Sequence, residues 1–259
     1  MLEQLHQIHA AEVETFLAQA PGFALFIIGD IENFGYDSSF QTIWGDRDDH
    51  GALRAVLLRY YTNYVIYAPG AFDAEGVAAK IQENSEWTNI NGWAEAIRQV
   101  SPYVQEGKTK EMYFAECKKL ETEYPIPDSV VEADFDDIEG IISLRSTIDE
   151  FSQPKDGVKI QRQKMETKSG RDVICKIDGK VVAGAATTAE NSQSAMVVAV
   201  CTDPAHRQHG YASACVTKLA KEYSALGKRL YLFYDNPNAG RIYNRIGFHE
   251  IGKYTLIQR

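Results

Sequence analysis

Residues 196–212 read MVVAVCTDPAHRQHGYA, and their order decides the fold class. Met196–Cys201 is a nearly continuous apolar, β-branched run, the pattern of a strand buried on both faces. Asp203–Gly210 is polar and contains Pro204, so it reads as a loop. From Tyr211 to Leu226, the residues Ala212, Cys215, Val216, Leu219, Tyr223 and Leu226 recur at spacings of three and four, which predicts a helix closed by Gly227. Gly210 and Ala212 then sit at the helix start. Small residues there let a ligand approach the main chain, and the free N–H groups of a first helical turn attract an anion. A pyrophosphate fits such a place, with Arg207 adding positive charge at its rim. The same residues also suit an ordinary strand–helix turn closed by a glycine.

Outward from this stretch, the second half of the chain continues as strand Lys228–Tyr234, helix Asn238–Ile246 closed by Gly247, and strand Phe248–Ile257. On the N-terminal side, Val173–Ile177 and Val181–Ala189 flank Asp178-Gly179-Lys180, a hairpin signal. Val130–Ala133 reads as a short strand. Asp134 is a candidate N-cap for the helix of Ile138, Ile141, Ile142 and Leu144. The order predicts a mixed α/β domain. Two prolines in Tyr124-Pro125-Ile126-Pro127 mark a boundary, so the expected domains are 1–124 and 125–259.

Two spaced signatures occur in the second half. Arg207-Gln208-His209-Gly210-Tyr211-Ala212 fits [Q/R]-x-x-G-x-[G/A], after a strand that ends Val200-Cys201-Thr202-Asp203-Pro204. Asn236, Ala239, Tyr243, Gly247 and Phe248 fit N-x-x-A-x-x-x-Y-x-x-x-G-F. Together these resemble the GCN5-related N-acetyltransferase family over roughly residues 128–259. The resemblance implies the acyl-CoA N-acyltransferase fold: a mixed, mostly antiparallel sheet flanked by helices. It implies acetyl transfer from acetyl-CoA, as co-substrate, to a primary amine in a ternary complex. The backbone of Val200, Cys201 and Thr202 would pair with the pantetheine arm as an added strand. The N–H groups of Gln208, His209, Gly210, Tyr211 and Ala212 would hold the pyrophosphate, beside Arg207. Asn236 would bind the cofactor through its side chain. Tyr243 is the implied general acid, and a phenol with a pKa of about 10 is protonated at neutral pH. A backbone N–H of the Met196–Thr202 strand would serve the oxyanion. No general base is assigned; Glu190 and the acidic residues Asp134–Glu139 are candidates. Cys201 has no assignable His/Asp partner and reads as a buried strand thiol. His206 and His209 lack metal-ligand spacing, so no metal is expected.

The first half lacks both signatures. Leu2–Ala20 reads as a helix, Phe23–Ile28 as a strand, Gln41–Trp44, Ala52–Leu58 and Tyr60–Tyr67 as strands. Ala74–Asn84 reads as a helix, Thr88–Ile90 as a weak strand, Trp93–Val100 as a helix and Lys110–Lys118 as a strand. At the cofactor-loop position stands Pro69-Gly70-Ala71-Phe72. By pattern this half resembles the N-terminal parts of two-domain bacterial acetyltransferases. It is read as a degenerate copy that has lost coenzyme A and could shape the acceptor cleft or a homodimer surface; an unrelated accessory domain is the alternative.

Composition bounds the rest. The chain has 259 residues, 44% apolar and 11% aromatic, which excludes a disordered protein. No apolar run reaches the roughly 20 residues of a membrane span, and Met1-Leu2-Glu3-Gln4 does not begin a signal peptide. Four scattered cysteines point to reduced thiols and a cytoplasmic protein. A net charge of −9 disfavours nucleic acid as partner. Residues 111–150 hold 12 Asp/Glu against 3 Lys/Arg, which suggests a cationic acceptor. A non-catalytic CoA-binding sensor on the same fold is the main rival to an enzyme.

Overall fold

The computed structural model describes residues 2–104, 107–122, 124–148, 151 and 156–259. Contacts divide the chain into two compact units, Met1–Phe114 with Ile251–Arg259, and Ala115–Glu250.

The first unit contains β1 (Glu3–Gln4), α1 (Ala10–Leu17), α2 (Leu25–Phe34), β2 (Gln41–Arg47), β3 (Leu53–Tyr60), β4 (Asn63–Tyr67), α3 (Ala74–Gln82), β5 (Asn89–Trp93), α4 (Ala94–Val100) and most of β6 (Lys108–Cys117). β1 to β4 pair antiparallel in sequence order, and β5 returns parallel to β4 after α3. The chain's last strand, Phe248–Gln258, pairs antiparallel with β5, from Tyr254↔Trp93 to Gln258↔Asn89.

Three sequence expectations fail here. Phe23–Ile28 is not a strand, because Leu25 opens the helix α2. A short apolar run does not separate a buried helix from a strand by periodicity. Leu25 and Ile27 are fully buried, and Phe23 stacks on Trp93 at 4.5 Å. Tyr60–Tyr67 is not one strand either. It turns at Tyr61, whose φ is +52°, and Tyr60 pairs back onto Asn63. The turn carries no glycine or asparagine, so the usual hairpin signal is missing. The start of the expected first helix is instead β1, laid along Trp44 and Gly45 of β2.

The second unit adds β7 (Val130–Glu132), α5 (Ile138–Ser146), α6 (Gly157–Thr167), β8 (Asp172–Ile177), β9 (Lys180–Thr188), β10 (Ser194–Thr202), α7 (Tyr211–Ala225), β11 (Arg229–Tyr234), α8 (Pro237–Ile246) and the start of β12, the Phe248–Gln258 strand. The sheet order is β11-β10-β9-β8-β7. Only β10 and β11 are parallel among these pairs, as their crossover through α7 requires. Asp178 (φ +50°) and Gly179 (φ +77°) form the expected hairpin turn. Asp134 and Asp137 form a reciprocal capping box at the turn that leads into α5. α6 has no sequence signature because it has no apolar stripe: Val158 and Ile160 are exposed and only Gln161 is buried. The core has two faces. Cys215, Val216, Leu219 and Tyr223 of α7 cover one, and Ile141 and Leu144 of α5 cover the other. All four cysteines are free and buried.

Candidate active site

The site begins at an irregularity in β10. Against β9, Val198 pairs with Ala186, but the next pair is Cys201 with Gly184. Two residues, Ala199 and Val200, therefore oppose one, and Ala199 takes φ +53°. A bulge of this kind re-aims the side chains that follow it. Val200 packs toward the α7 core, and Cys201 joins the α5 cluster. A left-handed alanine costs about 1–2 kcal/mol, strain of the sort that collects at functional sites. The parallel ladder with β11 runs only from Ser194↔Arg229 to Val197↔Leu232. Beyond Val197, that edge of β10 has no ladder partner on β11 among the described residues.

The loop after β10 is built to open a helix without a side-chain cap. Asp203 accepts from the Ala205 N–H at 2.9 Å and from Lys180 Nζ at 2.8 Å, which fixes the turn Pro204–His206. The backbone then enters the left-handed region twice, at Gln208 (φ +69°) and Gly210 (φ +77°). His209 lays its ring on Tyr211, with centroids 5.4 Å apart, and its Nδ1 lies 2.8 Å from the Arg207 carbonyl. The first bond to the cap runs from Ala214 N–H to the Gly210 carbonyl at 2.9 Å, and no side chain caps the helix. Nothing lies within 4 Å of where a Gly210 Cβ would stand, so the helix start is open on that side. That is the anion-binding arrangement of a helix N-terminus.

Asn236 caps α8, its Oδ1 accepting from Asn238 N–H at 2.9 Å. The side chain is exposed, and its amide nitrogen is the part left for a ligand. Two turns on, Tyr243 lies between Tyr234 (6.0 Å) and Phe248 (6.1 Å). Burial, with a smaller contribution from Cys201, pushes its phenol up to about 12. Burial likewise holds the Cys201 thiol at about 11, which makes it protonated and inert at neutral pH. Gly247 is structural: at φ +125°, a Cβ would lie 2.4 Å from the Lys119 carbonyl.

These parts meet at one cavity of about 330 Å³. Val200, Cys201, Thr202, Arg207, Ala212 and Tyr243 line it, all of them legible in the sequence. Gln208, His209 and Gly210 form the exposed loop beside it, Tyr211 is half-buried, and Asn236 stands outside the lining. The sequence reading missed Ile148, Phe151, Ser213, Val216, Ala239 and Ile242 as walls. Helical spacing of four from Ala212 and Tyr243 reaches Val216 and Ala239, whereas it does not mark Ser213 or Ile242, and nothing local marks Ile148 or Phe151.

The candidate bases lie elsewhere. Glu190 accepts from the Tyr223 hydroxyl and from Lys228 Nζ at 2.8 Å, and lines a different cavity with Asp172. Asp137 bridges to Lys176 at 2.6 Å. Other acids of 111–150 are also engaged: Glu111 with Arg98 (2.9 Å), Glu116 with Arg229 (3.0 Å) and Glu121 with His249 (2.7 Å). No carboxylate lines the Tyr243 cavity among the described residues. No group of His, Cys, Asp and Glu among them could hold a metal ion, and no described helix is long and apolar enough to cross a membrane.

Comparison with known proteins gives a consistent picture. Residues 138–248 match the family model described as the acetyltransferase (GNAT) family. The fold is similar to a GCN5-related N-acetyltransferase from Sphaerobacter thermophilus, at 13% identity and TM-score 0.64, over 100% of this chain and 95% of that one. A GCN5-related N-acetyltransferase from Kribbella flavida gives 18% identity and TM-score 0.58, over 79% and 86%. A tandem GNAT protein from the clavulanic acid biosynthesis pathway gives 11% identity and TM-score 0.59, over 100% and 98%. At such identities the likeness is one of fold. No curated protein matches the chain.

Proposed function

We propose, from a chain whose residues 138–248 match the acetyltransferase (GNAT) family model, that it is an N-acetyltransferase that moves the acetyl group of acetyl-CoA directly onto a primary amine at the Tyr243 cavity. The observation that carries the reading is the convergence of the unpaired β10 edge, the uncapped start of α7 and Tyr243 on that cavity. Acetyl-CoA supplies the activated acyl group as a co-substrate. The residues fit it: main-chain N–H groups of Gln208 to Ala212, with Arg207, would hold the diphosphate, and Asn236 would donate its amide N–H. The free edge at Val200–Thr202 would receive the extended pantetheine arm by strand addition.

In the transfer, an N–C bond forms and the C–S bond breaks. A backbone N–H of β10 would donate to the developing oxyanion. Tyr243 would give its proton to the departing sulfur, and the amine's proton would leave through solvent, since the cavity supplies no described base. Burial raises the phenol, and the same desolvation makes a nascent thiolate more basic, so the transfer stays favourable. Holding amine and thioester together supplies much of the rate. Tyr243→Phe tests this: turnover should fall by 10²-fold or more while acetyl-CoA still binds in a calorimeter. Acetyl-CoA binding without any amine-dependent CoA release in the parent protein would favour a sensor.

We also propose that the first unit is a degenerate copy of the second. β2-β3-β4, crossover α3 and parallel β5 repeat the order of β8-β9-β10, α7 and β11. The copy lacks the binding features. Its β4–β5 ladder stays closed to Ile66↔Gly92, where a Cβ on Gly92 would sit 2.2 Å from the Ile66 carbonyl. Its crossover helix is capped by the Asp73 carboxylate, which accepts from Gly76 N–H at 2.9 Å, and Asp46 accepts the Asp73 N–H at 3.0 Å. Two carboxylates occupy the place where an anion would bind.

A further inference from the structure

We infer that the amine brought to Tyr243 carries a small apolar body seated on Ile148, Phe151 and Cys201, and is not a polycation. This rests on the acetyl-transfer reading above and adds the class of acceptor. The cavity has two walls. One is made by the start of α7 and by α8, next to the uncapped loop, and falls to the cofactor. The other is Ile148, Phe151 and Cys201, side chains of the cluster under α5. The bulge at Ala199 is what turns Cys201 onto that face, so the apolar wall and the free β10 edge arise from one backbone feature.

Charge points the same way. Arg207 is the only charged side chain in the lining among the described residues, and it is positive. Four carboxylates of 111–150, Glu111, Glu116, Glu121 and Asp137, are held by Arg98, Arg229, His249 and Lys176, and none of the segment's carboxylates lines this cavity among the described residues. A second ammonium on the acceptor would lose hydration against apolar side chains without a counter-charge. An apolar body gains from the same wall.

The test uses the full chain with acetyl-CoA and two acceptors, 2-phenylethylamine and spermidine, with acetyl-CoA binding followed in parallel by calorimetry. The expected kcat/KM for 2-phenylethylamine exceeds that for spermidine at least about tenfold. Phe151→Ala should raise the KM for 2-phenylethylamine about tenfold with kcat within about twofold, and Phe151→Leu should restore most of the loss. Preference for spermidine, or use of neither amine by protein that binds acetyl-CoA, overturns the inference and leaves the cofactor reading standing. A Phe151→Ala protein with unchanged amine KM but altered preference between acetyl-CoA and propionyl-CoA gives that wall to the acyl group and also overturns it. Failure to bind acetyl-CoA removes the underlying reading itself.

Discussion

Tyr243 and Cys201 line the same cavity from different elements, α8 and β10, and the thiol adds to burial in holding the phenol at about 12. The general acid proposed for this site is therefore protonated across the whole physiological range. The rate should rise with pH as the acceptor amine loses its proton. No falling limb attributable to Tyr243 should appear below about pH 11. A pH profile of kcat/KM for the parent and Tyr243→Phe proteins checks this: a falling limb near pH 9 that vanishes in the variant would contradict it.

Gly210 opens α7 at φ +77° with open space where a side chain would project. Gly210→Ala meets no clash, so its cost is the left-handed backbone, about 1–2 kcal/mol. Because that turn aims the free N–H groups, acetyl-CoA affinity should fall about tenfold, while the melting temperature drops only a few degrees. Calorimetry and thermal unfolding of the same sample separate the two effects.

Asp172 is buried and accepts from Arg145 (2.6 Å), Lys164 (2.6 Å) and Gln161 (2.7 Å), which ties α5 and α6 to β8. Burial, with a smaller contribution from the Arg145 charge, pulls the Lys164 ammonium below its ordinary value despite this carboxylate. Asp172→Ala removes the carboxylate shared by two largely buried cations and should cost about 3–5 kcal/mol. Since Arg145 lies one turn before Ile148, the acceptor wall should loosen too. Urea unfolding measures the first effect and the amine KM the second.

Asp30 sits half-buried on α2, and burial pushes its carboxyl up to about 7. The unfolded chain loses this proton at about pH 4, whereas the folded chain keeps it to about pH 7. The unfolded state thus binds fewer protons in that window, and stability falls as pH rises through it. Asp30→Asn should flatten the decline and raise the melting temperature at pH 8 by about 2–4 °C. Equal pH dependence in both proteins from pH 4 to 8 would refute this.

The second unit was legible for local reasons. Asp178-Gly179, the three-and-four spacing of Cys215, Leu219 and Tyr223, and the glycines Gly210 and Gly247 of the two signatures each fix structure within a few residues. The first unit was less so. Phe23–Ile28 is a short apolar run, which leaves helix and strand indistinct, and the turn at Tyr61 has no turn residue. Its likeness to the second unit lies in strand order rather than in shared residues.

By itself, the sequence determined the strand–loop–helix at 196–226, the glycine at its hinge and the spacing that brings Tyr243 toward it. These depend on backbone propensity and on neighbours three or four positions apart. Only the tertiary structure decided that a bulge at Ala199 turns Cys201 to the α5 face, that Glu190 is spent on Tyr223 and Lys228, and that Ile148 and Phe151 wall the cavity. Ladder register and ion pairing join residues tens of positions apart, and their outcome depends on which groups are buried together.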